Sequence, residues 1–236
     1  MTRPRILLVP TLTELEWRIK PLLEEWADVA SFDAPGVGDE PAADAPTLRA
    51  IVARGIEEIE RRGWDACIVV GDEYGTNGAV QVAAERPQAV RALALGHACL
   101  SFSEGGERPT VNGDVMGAMR KLFDVDYRTY ARHLTQVTQG AYDDRTAALY
   151  MERVPHEVSR GYQAEIQAAS AAMEPLIASL RLPLLLAKHE GCLGWTDEGW
   201  EDAVAALPEA TTMTTEQKPS CSPEFAAALR AFCSAL

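Results

Sequence analysis

The 236 residues, 47% hydrophobic and 24% charged, suffice for one domain with a substantial core and hold no run near the roughly 18 apolar residues a membrane span requires. Asp and Glu number 35 against 22 Lys and Arg, a formal charge of −13 without a basic cluster, which excludes nucleic acid and leaves a small molecule as the expected partner. Cys67, Cys99, Cys192, Cys221 and Cys233 are odd in number, scattered and without C-x-x-C spacing, and the amino terminus lacks a signal-peptide core, so reduced thiols and a cytoplasmic location are expected.

Arg5 to Val9 is a short apolar run stopped by Pro10, suited to a strand buried on both faces of a parallel sheet. Val29 to Phe32 is the next strand. Between Pro46 and Arg62 the apolar positions Leu48, Ile51, Val52, Ile56 and Ile59 keep helical spacing, with Thr47 as the start signal. Ala66 to Val70 is a third apolar run, followed by an alanine-rich helix from Gly75 to Glu85 that Pro87 breaks. Val90 to Leu95 gives a fourth strand. Leu182 to Ala187 and Ala210 to Thr215 give two more, each followed by a helix, Glu198 to Leu207 and Pro223 to Ala235. Strand and helix alternate, which makes the fold class α/β with a doubly wound, mostly parallel sheet. From about Ser101 to Leu180 helical patterns recur without a strand, so 101–180 reads as a helical cap inserted into a core of 1–100 and 181–236. Five of the six tyrosines, Tyr127, Tyr130, Tyr142, Tyr150 and Tyr162, fall in that insertion.

The informative stretch runs from Val69 to Gly75, Val-Val-Gly-Asp-Glu-Tyr-Gly, and leads into a helix of small residues. A turn that begins and ends with glycine between strand and helix is the layout of the G-x-S-x-G nucleophile elbow, which thrusts its middle residue into a pocket. Its middle residue here is Glu73. The loop from Asp33 to Gly38, Asp-Ala-Pro-Gly-Val-Gly, resembles the D-x-P-G-x-G-x-S loop of many α/β-hydrolases, with Glu40 in place of the serine, and Pro223 to Phe232 looks like their closing helix. On these three markers, in order along nearly the whole chain, the sequence resembles the α/β-hydrolase superfamily and departs from it at the nucleophile.

Carried over position by position, the resemblance leaves most of the usual machinery missing. The family's histidine belongs near Glu216 and Gln217, where there is none; its acid belongs near Glu190 to Cys192, with Cys192 the ungapped match. The oxyanion loop reads Pro10-Thr11, and the backbone N–H of Tyr74 keeps the other family donor. Without serine and a positioned histidine, ordinary esterase chemistry has no route. His97, after the fourth parallel strand, and His189, after the fifth, belong to the sheet edge where ligands bind, and either could face Glu73. His133 and His156, in the cap, read as surface groups.

The resemblance also extends to relatives that open epoxides or displace halides with an aspartate at the elbow and an aromatic residue beside it, as Tyr74 is here. Their intermediate is released by histidine-activated water, and glutamate carries an extra methylene that displaces its carboxylate. A carboxyl group beneath an apolar cap, with Asp72 or Glu216 near, is alternatively a competent general acid or base. The leading expectation is a cofactor-independent acid/base enzyme acting on an apolar small molecule by elimination, isomerisation or cyclisation, with Glu73 and His97 catalytic and Thr11, Tyr74, His189, Cys192 and Glu216 binding substrate. The alternatives are an epoxide hydrolase-like enzyme using Glu73 and a non-catalytic binding protein. No metal or cofactor is expected, a metal site from Glu73, His97 and Glu216 lacking any local ligand pair. Oligomeric state stays open, a homodimer included.

Overall fold

The computed structural model describes residues 3–11, 17–42, 44–97, 110–139, 142–170 and 173–236. Six strands, β1 (Arg5–Leu8), β2 (Asp28–Ser31), β3 (Cys67–Asp72), β4 (Val90–Gly96), β5 (Leu184–His189) and β6 (Thr211–Thr215), lie in the order β2-β1-β3-β4-β5-β6, every neighbouring pair parallel. All six runs read from the sequence are strands, their ends moved by two residues at most.

A parallel order requires a crossover at every connection, and helices supply them. They are α1 (Lys20–Glu24), α2 (Leu48–Arg61), α3 (Gly75–Glu85), α9 (Asp197–Ala206) and, after the last strand, α10 (Pro223–Ala235). Alternation along each strand sends successive side chains to opposite faces. Leu7, Val69, Leu93 and Leu186 pack with α2 and α3, whereas Ile6, Leu8, Ile68, Val70 and Leu185 pack with Leu23 of α1 and Phe225 and Leu229 of α10. Thr47 caps α2 as expected, its hydroxyl accepting from the Ala50 N–H at 3.2 Å.

Among the described residues between β4 and β5 stand the helices α4 (Gly113–Val125), α5 (Tyr127–Gln139), α6 (Asp144–Arg153), α7 (His156–Ser170) and α8 (Met173–Leu180). The described residues of the 101–180 insertion hold no strand, only a single bridge from Val111 to Trp195. The glycine loop after β2 is where this cap is fastened. Gly36 and Gly38 take φ of +82° and +60°, the Tyr162 hydroxyl donates to the Pro35 carbonyl at 2.7 Å, and Arg153 pairs with Asp33. Tyr130, Tyr150 and Tyr162 are buried and pack the cap inward. His156 is likewise half-buried against Phe123, with ring centroids 4.4 Å apart, and His133 meets the Tyr142 hydroxyl at 3.0 Å. No helix among the described residues is long and apolar enough to cross a membrane.

Candidate active site

The strand-to-helix turn expected at Glu73 is present. β3 ends at Asp72, α3 begins at Gly75, and Glu73 between them takes φ of +47°, a left-handed conformation that costs a non-glycine residue about 1–2 kcal/mol. Three hydrogen bonds hold it there: its N–H donates to the Gly96 carbonyl at 2.9 Å, and its carbonyl accepts from the Thr76 N–H at 3.0 Å and the Thr76 hydroxyl at 2.6 Å. The flanking glycines are steric requirements. A Cβ on Gly71 would sit 2.5 Å from the Gly75 carbonyl oxygen, and one on Gly75 would sit 2.9 Å from the carbonyl oxygens of both Val9 and Pro10.

The side chain so delivered is 5% exposed, and its carboxylate Oε2 lies 3.1 Å from the Lys218 ammonium, itself 1% exposed. Lys218 therefore occupies the place expected for Glu216 or Gln217. Both of those residues are exposed, so Glu216 is withdrawn from the set of pocket residues. After β6 the Thr215 hydroxyl donates to the Gln217 carbonyl at 2.6 Å and lies 3.1 Å from that of Lys188, and the chain re-enters the core at Lys218 before a 3-10 turn over Pro219–Cys221.

Asp72, immediately before the elbow, is fully buried and turned toward other partners. One oxygen accepts from the Ser220 N–H at 3.0 Å, which fixes the turn carrying Lys218, and the other faces His97 Nδ1 at 3.4 Å. Burial alone would raise this carboxyl, but the His97 hydrogen bond and the Lys218 charge outweigh it and hold Asp72 below the ordinary carboxylate range. His97, at φ of +44°, also has its Nε2 engaged, at 3.1 Å from the His189 N–H and 2.9 Å from His189 Nδ1. Since the backbone N–H can only donate, Nε2 accepts and Nδ1 carries the proton toward Asp72. The expected meeting of His97 with Glu73 is thus replaced by an Asp72–His97–His189 chain behind the elbow, because both imidazole nitrogens are already committed there.

Above Glu73 is a chamber of about 60 Å³ bounded by Tyr74 of the elbow, Met116 and Met119 of α4, Tyr130 and Leu134 of α5, and Trp195. Cys192 lines it too; burial, followed by the negative charge of Glu73, pushes its thiol up to about 12, so it stays protonated and is no nucleophile. Thr11 is fully buried at the end of β1, next to the Pro10 carbonyl that crowds Gly75. His189 is buried beside His97 and faces a second cavity. Among the described residues no three His, Cys, Asp or Glu side chains gather as metal donors, and the trio of Glu73, His97 and Glu216 is not brought together. Cys67, Cys192, Cys221 and Cys233 form no disulfide; Cys99 lies outside the described residues. The residue that sequence reasoning missed is Lys218, which precedes the 3-10 turn at Pro219–Cys221.

No protein-family model matches the chain, and no curated protein matches it in sequence. Solved structures do. An esterase from Exiguobacterium antarcticum superposes with a TM-score of 0.80 at 12% identity, over 99% of this chain and 92% of that one. A hydrolase from Oleispira antarctica gives 0.79 at 13% identity, and the enol-lactonase from Burkholderia xenovorans 0.75 at 17%, each over the same 99% and 92%. With six parallel strands, an elbow between β3 and α3 and superposition along almost its full length, the chain has the α/β-hydrolase fold.

Proposed function

We propose that the chain is a cofactor-independent enzyme in which Glu73 moves protons on an apolar small molecule, in an elimination, isomerisation or cyclisation. The observation that carries this reading is the Glu73 carboxylate at the elbow, lining a largely apolar chamber and paired from behind with a buried ammonium at 3.1 Å. As base, Glu73 takes a proton from carbon next to a carbonyl, the C–H electron pair forms the enolate C=C while the carbonyl π pair moves to oxygen, and return of the proton to another carbon with re-formation of the carbonyl completes an isomerisation. Lys218 does not line the chamber; it is a positioning residue that keeps the carboxylate oriented and supplies the opposite charge in a dry site. The family donors at Thr11 and Tyr74 are the groups assigned to the developing oxyanion. The chamber holds about 60 Å³, so a larger substrate requires its walls, α4 and α5 among them, to give way.

Incubation with a panel of apolar ketones and enones in D2O tests this by mass spectrometry. Deuterium enters carbon beside the carbonyl faster than in buffer, and Glu73→Gln lowers the rate about 100-fold or more while the circular dichroism spectrum is unchanged. Exchange that survives Glu73→Gln removes Glu73 as base, and a wild-type protein inert to the whole panel favours a binding role. A hydrolytic reading is favoured by the names of the structural neighbours, an esterase, a hydrolase and an enol-lactonase. It differs by one result: with Glu73 as nucleophile, oxygen-18 from water enters its carboxylate during turnover. Lys218 in the place of a histidine argues against the water-activating half of that cycle.

A further inference from the structure

Beside the Glu73 chamber, at the carboxyl end of β5 and against α9, lies a larger cavity of about 350 Å³ that the acid/base reading does not use. Its volume falls in the range that accepts small organic ligands. The floor is His97 and His189, 4% and 3% exposed, packed edge to face with centroids 4.8 Å apart. Trp195 and Trp200 form walls.

Among the described residues the charge at its rim is mostly negative. Among the described residues Glu174, Glu190, Asp197 and Asp202 line the cavity together with the cation Lys188. That lysine shows what the wall receives: its ammonium lies 2.8 Å from Asp197 and 5.7 Å from the centre of the Trp200 ring, on a carboxylate and an indole at once. An anion would meet Glu174, Glu190 and Asp202 beside the Asp197–Lys188 pair. A strongly hydrated inorganic cation would gain little from two indoles, whereas an organic cation uses both surfaces.

We infer that this cavity binds a small organic ammonium, a primary amine on an aromatic or alicyclic body, with the charge toward the rim carboxylates and indole faces and the body over the imidazole floor. The inference is independent of what Glu73 does. Titration of 15N-labelled protein with benzylammonium, benzyl alcohol and benzoate at low ionic strength tests it. Benzylammonium shifts the His97 and His189 imidazole signals and the Trp195 and Trp200 indole signals, and binds at least tenfold more tightly than the alcohol; benzoate does not bind. Trp200→Leu weakens benzylammonium about fivefold, and the exposed Glu190→Gln weakens it without risk to the fold. Lys188→Met, which removes the resident cation, strengthens it. Equal binding of alcohol and amine, shifts that bypass both histidines, or weaker binding by Lys188→Met each overturns the inference.

Discussion

At the scale of single residues, three charges share one buried site: Glu73 and Asp72 are both compensated by Lys218. Removing a partner from a buried pair costs about 3–5 kcal/mol because the remaining charge is left uncompensated. Lys218→Met strands two carboxylates and is expected to reach that range in urea unfolding at pH 7. Glu73→Gln leaves Lys218 with Asp72 and is expected to cost distinctly less, and equal losses would show that Asp72 does not share the ammonium. The elbow residue was legible because glycine spacing betrays a turn that no side chain at position 71 or 75 fits. Lys218 was not legible, since counting from β6 cannot reveal that residues 216 and 217 face water and the chain turns inward one step later. His97 was readable as a sheet-edge residue; its commitment to Asp72 depends on a left-handed backbone at His97 that spacing does not encode.

At the scale of elements, the same glycine contacts make predictions of opposite sign. Gly75→Ala drives a methyl into the Val9 and Pro10 carbonyls just after β1 and is expected to destabilise by about 1–3 kcal/mol. Gly117, inside α4, has only the tip of Arg120 within 4 Å, at 3.9 Å, so Gly117→Ala is expected to stabilise by about 0.5–1 kcal/mol through helix propensity. Chemical denaturation of both variants checks the pair, and a stable Gly75→Ala protein would show that the elbow can shift. Strands and crossover helices were readable because the short apolar runs of β1, β3 and β4 are buried on both faces and leave no alternation to misread. The helices of the cap could be anticipated from periodicity, whereas their packing, which sets the chamber volume, rests on contacts such as Tyr162 with Pro35 that join residues far apart in sequence.

At the scale of the whole molecule, acid is expected to loosen both the core and the cap. Glu58 of α2 is buried, which alone would raise its carboxyl, but hydrogen bonds and charge from Arg61 and Arg62 bring it to about 2. Asp143, which caps α6 and bonds Arg18, is likewise brought to about 2 against the effect of burial. A carboxyl whose folded pKa lies below its unfolded value adds stability above the unfolded value and loses it as pH falls through the folded one. With ordinary values of 4.5 and 3.8, the urea midpoint should hold steady above about pH 4.5 and drop from there toward pH 2. Glu58→Gln should flatten part of that slope, and a midpoint indifferent to pH over the interval would refute the assignment. The two cavities share a partition, since Cys192 and Trp195 front on both. A guest that displaces this segment from one side alters the space available on the other, and thermodynamic reciprocity makes the influence equal in each direction. A guest on the indole-walled side that moves Cys192 or Trp195 would thereby be linked to whatever Glu73 holds.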